Sequence, residues 1–87
     1  MAYAVVLKPA ARRDLRKLPD DVRRRIASRI DALAGDPRPS GAEDLRGEPD
    51  LYRVRVGEYR ILYQIESKAL VVLVVRIGHR REVYRGR

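Results

Sequence analysis

Cysteine, tryptophan and phenylalanine are absent from this sequence of 87 residues, and histidine occurs once. Without cysteine the chain has no disulfide framework and no thiolate chemistry. One histidine leaves little for a zinc site, and we expect neither a metal nor an organic cofactor. A glycine-rich phosphate loop and a nucleophilic serine elbow are also lacking, which disfavours the chemistries that depend on them.

Long apolar runs are lacking as well. No segment approaches the roughly 20 apolar residues of a membrane span. The opening stretch MAYAVVLKPAARRD has too short an apolar region for a signal peptide. We therefore expect a cytoplasmic protein that does not enter a membrane, with a single domain over residues 1–87.

Positive charge is what the sequence has in excess. It contains 20 lysines and arginines against 12 aspartates and glutamates, for a formal net charge of +8. Such an excess favours a polyanionic partner, which could be RNA, DNA or an acidic protein.

Periodicity and helix signals predict the order β-α-α-β-β-β. Pro9 suits the first turn of a helix, Asp20 an N-cap, and Gly35 a helix end. The predicted strands are Ala2–Lys8, Leu51–Val56, Tyr59–Glu66 and Ala69–Ile77, the helices run from Pro9 to before Pro19 and from there to about Ala34, and residues 36–50 form a loop. The predicted fold class is α+β, with two helices packed on one face of a mainly antiparallel four-stranded sheet.

The segment LYRVRVGEYRILYQ predicts a hairpin that turns at Gly57. A two-residue type II′ turn there pairs Val56 with Tyr59 and Arg55 with Arg60. Because side chains alternate across a strand, the apolar residues face the helices, while Arg53, Arg55 and Arg60 gather on the other face. Two arginines directly opposite each other destabilise a sheet, so the arrangement indicates a function.

The following hairpin brings in the end of the chain. A tight loop at Ser67-Lys68 would pair Arg60 with Val75, and His79 and Arg80 would then arrive beside the arginines of the first hairpin. Clustered guanidinium groups suit a bound phosphodiester, because arginine matches phosphate oxygens bidentately.

The segments LRGEPDLYRVRVGEYRILYQI and VVRIGHRREVYR resemble toxins of the RelE/ParE superfamily from type II toxin–antitoxin systems, and are most similar to the RelE branch. Members of that branch cleave mRNA in the ribosomal A site. The resemblance implies attack by the RNA 2′-OH on the neighbouring phosphate, giving a 2′,3′-cyclic phosphate and a free 5′-OH. The implied site positions, to which Arg81 is added as a further phosphate ligand, are Arg53, Arg55, Arg60, Arg80 and Tyr84.

The general base is not identified by this resemblance, because members of the branch commonly carry lysine where this chain has Arg53 and Arg55. Arginine does not lose its proton near neutral pH. His79 is one candidate, as histidine is the residue type that ordinarily titrates near neutrality. Glu43 is another, because EDLRG resembles a segment in which some members use a glutamate. A third possibility is that the arginines act electrostatically and no side chain takes the proton.

The resemblance also implies partners. They are the ribosome with its mRNA and a cognate antitoxin in a hetero-oligomer. We expect an acidic amphipathic antitoxin segment to lie over an apolar strip formed by Val71, Leu73 and Val75, next to the arginines. The alternative function is that of a non-enzymatic ParE-like toxin that inhibits DNA gyrase, and a weaker one is a degenerate member that only binds RNA or an antitoxin.

Overall fold

The computed structural model describes residues 2–45, 47 and 50–79. Within these residues, two helices and a five-stranded sheet follow the order β1 Ala4–Leu7, α1 Pro9–Arg16, α2 Asp20–Leu33, β2 Glu43–Asp44, β3 Leu51–Val56, β4 Tyr59–Glu66 and β5 Val71–His79. The strand order in the sheet is β1-β5-β4-β3-β2, with β1 parallel to β5 and the other neighbours antiparallel. The predicted α+β class is confirmed.

The prediction of four strands was wrong by one strand. Residues 43–44, which were expected to lie in a loop, form β2 and pair with β3, so that Glu43 is opposite Arg53. Both residues of β2 are exposed. This strand escaped prediction because two exposed residues show no apolar alternation.

Both helices begin where their prolines place them. Pro9 occupies the first turn of α1, where a missing N–H costs nothing. Asp20, which we expected at the N-cap of α2, is the first helical residue instead, and Pro19 holds the cap. Asp20 and Asp21 therefore lie in the first turn, where negative charge stabilises the positive end of the helix dipole.

The main core lies between α2 and the sheet. Ile26 and Ile30 from α2 pack against buried residues of the three long strands, which include Val54, Ile61 and Val72. Tyr63 is fully buried in this layer, and its hydroxyl donates a hydrogen bond of 2.8 Å to the carbonyl oxygen of Pro37. The apolar residues of the first hairpin thus face the helices, as alternation predicts.

The second hairpin differs from the prediction. Its loop comprises residues 67–70, and Leu70 adopts a positive φ of 55°. A bulge at Leu62/Tyr63 shifts the register further, so that Arg60 lies opposite Gly78 and not opposite Val75. A leucine in the left-handed region has no sequence signature comparable to glycine, which is why the tighter loop was predicted.

Helix α1 covers the edge of β5 beyond the end of β1. The Asp14 carboxylate accepts a hydrogen bond of 2.9 Å from the backbone N–H of Ile77 and another of 2.8 Å from Arg76 Nε. A second bond of 3.2 Å joins Arg76 Nη2 to the other carboxylate oxygen. This contact attaches α1 to the strand that carries His79.

Within the part of the chain that the structure describes, no helix is long and apolar enough to cross a membrane. In the same residues, no group of three or more metal-ligating side chains is placed to hold a metal ion.

Candidate phosphate-binding site

The β3–β4 turn places two arginines opposite each other. Val56 pairs with Tyr59 and Arg55 with Arg60, as the sequence predicts. Gly57 has a φ of +60°, the positive value that the first central residue of a type II′ turn requires. The two guanidinium groups therefore belong to adjacent strands at the same level of the sheet, close to its end.

Arg53 adds a third arginine, and it is joined to an acid. Its Nε and Nη2 donate to the two carboxylate oxygens of Glu43 at 3.2 and 3.1 Å. This fork geometry orients both side chains on the exposed side of the sheet. The pair joins β2 to β3, so it also helps to hold this two-residue strand on the sheet.

Glu43 lies in the field of all three arginines. Its hydrogen bond from Arg53, followed by the charge of Arg53 and then those of Arg60 and Arg55, lowers the pKa of the Glu43 carboxyl below its ordinary value. The carboxylate is therefore ionised at neutral pH. A lowered pKa also makes it a weaker proton acceptor than an ordinary glutamate.

Arg55 lies at the exposed rim of the hairpin. Its Nε lies 3.5 Å from the carbonyl oxygen of Gly57, which is a long and weak contact. The pairing of β2 with β3 ends at Arg53, so Arg55, two residues further along β3, lies beyond the paired segment. Arg55 can therefore reach solvent from the edge of the sheet.

His79 lies elsewhere than predicted. It pairs with Tyr59, and the two rings meet edge to face with centroids 5.9 Å apart. Its ring lines a cavity of about 450 Å³ together with Leu18 and Pro19, on the helix-bearing side of the sheet. Arg60 lies opposite Gly78, the residue before His79. Because successive side chains of a strand point to opposite faces, Arg60 lies on the face opposite to that of His79. The structure thus brings Glu43 to the arginines and places the histidine across the sheet from Arg60.

Arg80, Arg81 and Tyr84 lie outside the described residues, so their predicted roles stay predictions.

The apolar strip predicted beside the arginines is present only in part. Val71 and Leu73 are half-buried on the face away from the core, and exposed Val6 lies beside Leu73 on β1. Val75 instead joins a second small cluster that also contains Leu45 and has Leu51 and Leu62 buried at its centre. The strip is therefore shifted toward β1 and away from the arginine end.

The site predicted from the sequence did not include the arginines of α2, although one of them contacts it. A Cβ on Gly57 would lie 3.2 Å from Arg25 Nη2, which places that guanidinium against the β3–β4 turn. The signal in the sequence was the spacing of Arg25 and Arg29, which are four residues apart and share one face of a helix.

A cluster of three arginines at one end of a sheet, held by a tight hairpin and only partly balanced by one glutamate, defines a small basic α+β domain suited to binding phosphate. The family described as the ParE toxin of type II toxin–antitoxin systems (parDE) matches residues 5–84 of this chain.

Individual relatives cover almost the whole chain. The toxin RelG of Mycobacterium tuberculosis is 35% identical over 98% of this chain and 99% of its own length. The mRNA interferase toxin RelE of Escherichia coli is 34% identical over 97% of this chain and 92% of its own. Among solved structures, the toxin–antitoxin complex RelBE2 of M. tuberculosis has a chain that superposes with a TM-score of 0.81 at 32% identity, covering 92% of this chain and all of that one.

The chain therefore belongs to the ParE toxin family, and it is a RelE-like toxin of a type II toxin–antitoxin system.

Proposed function

We propose that this toxin is a ribosome-dependent endoribonuclease that cleaves mRNA in the ribosomal A site and so inhibits translation. The observation that carries the proposal is the placing of Arg55 directly opposite Arg60, with Arg53 and Glu43 alongside. Two like charges face each other at a cost in stability, and a bound phosphodiester would remove that cost. The E. coli relative at 34% identity is named an mRNA interferase, which supports the same activity.

In the proposed reaction the RNA 2′-oxygen attacks the adjacent phosphorus. A 2′-O–P bond forms, the P–O5′ bond breaks, and the products are a 2′,3′-cyclic phosphate and a 5′-OH. The 2′-OH loses a proton and the 5′-oxygen gains one, so no cofactor is required. The arginines would hold the phosphate in line and stabilise the extra negative charge that develops on its oxygens.

The arginines do not supply the base. Arginine stays protonated near neutral pH. Glu43 is placed among the arginines, but its lowered pKa weakens it as an acceptor. His79 contacts Tyr59 on the other side of the sheet from Arg60. We favour phosphate alignment as the main contribution of the protein, with the ribosome shaping the mRNA and solvent accepting the proton.

A cognate antitoxin is the second proposed partner. The solved relatives include toxin–antitoxin complexes of M. tuberculosis and E. coli. We propose that an acidic amphipathic antitoxin segment covers the apolar strip of Val6, Val71 and Leu73, because apolar side chains in a row on a sheet face mark an interface. The result would be a toxin–antitoxin hetero-oligomer.

The test is to map the 5′ ends of mRNA by primer extension after adding the protein to purified translating ribosomes. We expect cuts within A-site codons, and no cuts in the same mRNA without ribosomes. A ParE-like function is the competing candidate, favoured by the ParE description of the matching family. Intact mRNA, together with loss of DNA supercoiling by gyrase, would replace the proposed function by that one.

A further inference from the structure

A second cluster of arginines lies on the helix-bearing side of the hairpin. A groove of about 780 Å³ runs between α2 and β3, with Asp21, Ser28, Ala32 and Val56 also in its walls. The arginines that line it are Arg24, Arg25, Arg29 and Arg55. Four guanidinium groups and one carboxylate make this wide, open groove strongly positive, and such a surface attracts anions.

One arginine of the groove has a donor without a partner among the described residues. Arg29 Nε is buried, and within the described residues no acceptor lies within hydrogen-bond distance of it. Buried polar atoms almost always find a partner, so an exception calls for an explanation such as an absent anion. Arg29 is only half-buried as a residue, and its side chain lines the groove. Because Nε itself is closed off from solvent, the Arg29 side chain has to shift for an oxygen atom in the groove to accept this hydrogen bond.

The groove is continuous with the candidate site. Arg55 belongs both to the groove and to the arginine pair of the β3–β4 hairpin. Arg25 also lines the groove, and its guanidinium lies against the turn at Gly57. The pairing of β2 ends at Arg53, so the edge of β3 next to Arg55 is not covered by β2. A single anionic chain can therefore pass around this edge from one side of the sheet to the other.

We infer that the groove binds the phosphodiester backbone of single-stranded RNA that continues from the proposed cleavage site, with Arg25 and Arg29 as its principal phosphate ligands. The inference rests on the proposed function for what occupies the hairpin. RNA is favoured over an acidic peptide for two reasons. Its charges repeat along one backbone, which matches arginines that lie on both sides of a strand edge. Planar guanidinium groups also match phosphate oxygens bidentately.

The experiment measures the affinity of the full-length toxin for a short fluorescent oligouridylate with 2′-O-methyl riboses, which lack the attacking hydroxyl. Anisotropy titrations between about 50 and 200 mM salt give both the dissociation constant and its salt dependence. The variants are Arg25→Ala, which removes an exposed charge, and Arg29→Lys, which keeps the charge but removes the Nε–H donor. Lys68→Ala is the control, since it removes one charge from the loop at the opposite end of β4.

Arg25→Ala should weaken binding about three- to tenfold and lower the slope of log affinity against log salt by about 0.7, the value for one phosphate contact on a single strand. Arg29→Lys should weaken binding with little change in slope, because the charge remains while the fork is lost. Lys68→Ala should bind RNA like the wild type. All variants should melt at the wild-type temperature, which separates lost contacts from lost folding.

Equal losses for Lys68→Ala and Arg25→Ala would mean that RNA responds only to net charge, and would overturn the inference. A groove whose variants lose affinity for oligoglutamate but not for the oligouridylate takes an acidic protein segment, which would also overturn it. The proposed function fails separately. If wild-type protein leaves mRNA intact on ribosomes while the RNA-binding pattern holds, the groove stands and the nuclease does not.

Discussion

The arginines on the long strands differ in the charge of the residue that faces them. Arg76 on β5 meets Asp14, which contacts its guanidinium through both carboxylate oxygens and also accepts the N–H of Ile77. Arg55 and Arg60 meet each other across the β3–β4 ladder. The first arrangement satisfies a charge within the chain, and the second accumulates charge at the end of the sheet.

These two arrangements separate structural from functional arginines in a very basic protein. A structural arginine has an acid supplied by another element, and the pair fixes that element in place. Removing its partner should destabilise the fold. A functional arginine faces another cation across the strand ladder, so removing it relieves that repulsion. Arg53, which lies on the site face but binds Glu43, falls between the two types.

The largest expected effect is that of Arg60→Ala on activity. We expect the rate of mRNA cleavage on programmed ribosomes to fall roughly 100- to 1000-fold, the range for losing one preorganised contact to a developing charge. The melting temperature should not fall, because the guanidinium faces another arginine. Arg12→Ala on the exposed side of α1 is the matched control and should cleave like the wild type. Full activity of Arg60→Ala at equal protein concentration would remove it from the site.

Glu43→Gln tests whether the acid paired with Arg53 accepts the proton of the 2′-OH. If phosphate alignment dominates, we expect less than a tenfold change in the cleavage rate at each point of a profile between about pH 6 and 8. Because the pKa of Glu43 is lowered, its carboxylate is ionised throughout that range and its titration adds no pH dependence there. A loss of about 100-fold, typical of a general base, would instead assign the proton to Glu43.

A histidine base would produce a different signature in the same profile. The wild-type rate would rise with pH as the base loses its proton, and His79→Ala would abolish that rise while lowering the rate roughly 100-fold. His79→Gln is a second variant that keeps polarity at the position beside Tyr59. A loss of about 100-fold or more with the pH dependence gone would show that the alignment proposal is wrong.

Asp14→Ala should have the largest effect on stability. It leaves Arg76 without its acid and the N–H of Ile77 without an acceptor at the edge of β5. Asp14 is mostly buried but the Arg76 side chain is 32% exposed, so solvent screens part of the loss. We expect the free energy of unfolding, measured with urea, to fall by about 2 kcal/mol and the melting temperature to fall by roughly 10 °C.

Two controls accompany this variant. Asp14→Asn keeps an oxygen acceptor for the backbone and should lose about half as much. Asp31→Ala, at an exposed position of α2, should unfold like the wild type. If Asp14→Ala were as stable as the wild type, Arg76 would not be a structural arginine in the sense used above.

The parts of the structure that the sequence predicted are those governed by local rules. Alternation and the glycine turn fixed the β3–β4 register and therefore the pairing of Arg55 with Arg60, and both agree with the structure. The β4–β5 register was wrong because a bulge and a left-handed Leu70 depend on packing, and neither has a clear local signal.

The candidate site was predictable to a similar extent. The error in the second register carried over to His79, which was expected beside Arg60 and lies on the other side of the sheet. The pair of Glu43 with Arg53 depends on strand β2, which is too short to be read from a pattern. The groove beside α2 requires knowing how the helix packs against β3, which is a tertiary contact and not a local one.

The smallest expected effect is that of Tyr63→Phe. The Tyr63 hydroxyl is a neutral group, but its partner is supplied within the chain, as is that of Arg76. The buried hydroxyl donates to the Pro37 carbonyl, so its removal should lower the free energy of unfolding by about 1 kcal/mol.

Burial raises the pKa of Tyr63 to about 12. In the unfolded chain a tyrosine titrates near 10, so above pH 10 the unfolded state binds fewer protons than the folded one and stability falls until about pH 12. The stability advantage of wild type over Tyr63→Phe should therefore be constant below pH 9 and shrink above pH 10, by at most about 1.4 kcal/mol per pH unit. Urea unfolding of both proteins from pH 7 to 11 measures this difference directly. An advantage that stays constant up to pH 11 would mean that the hydroxyl is not held neutral by the core.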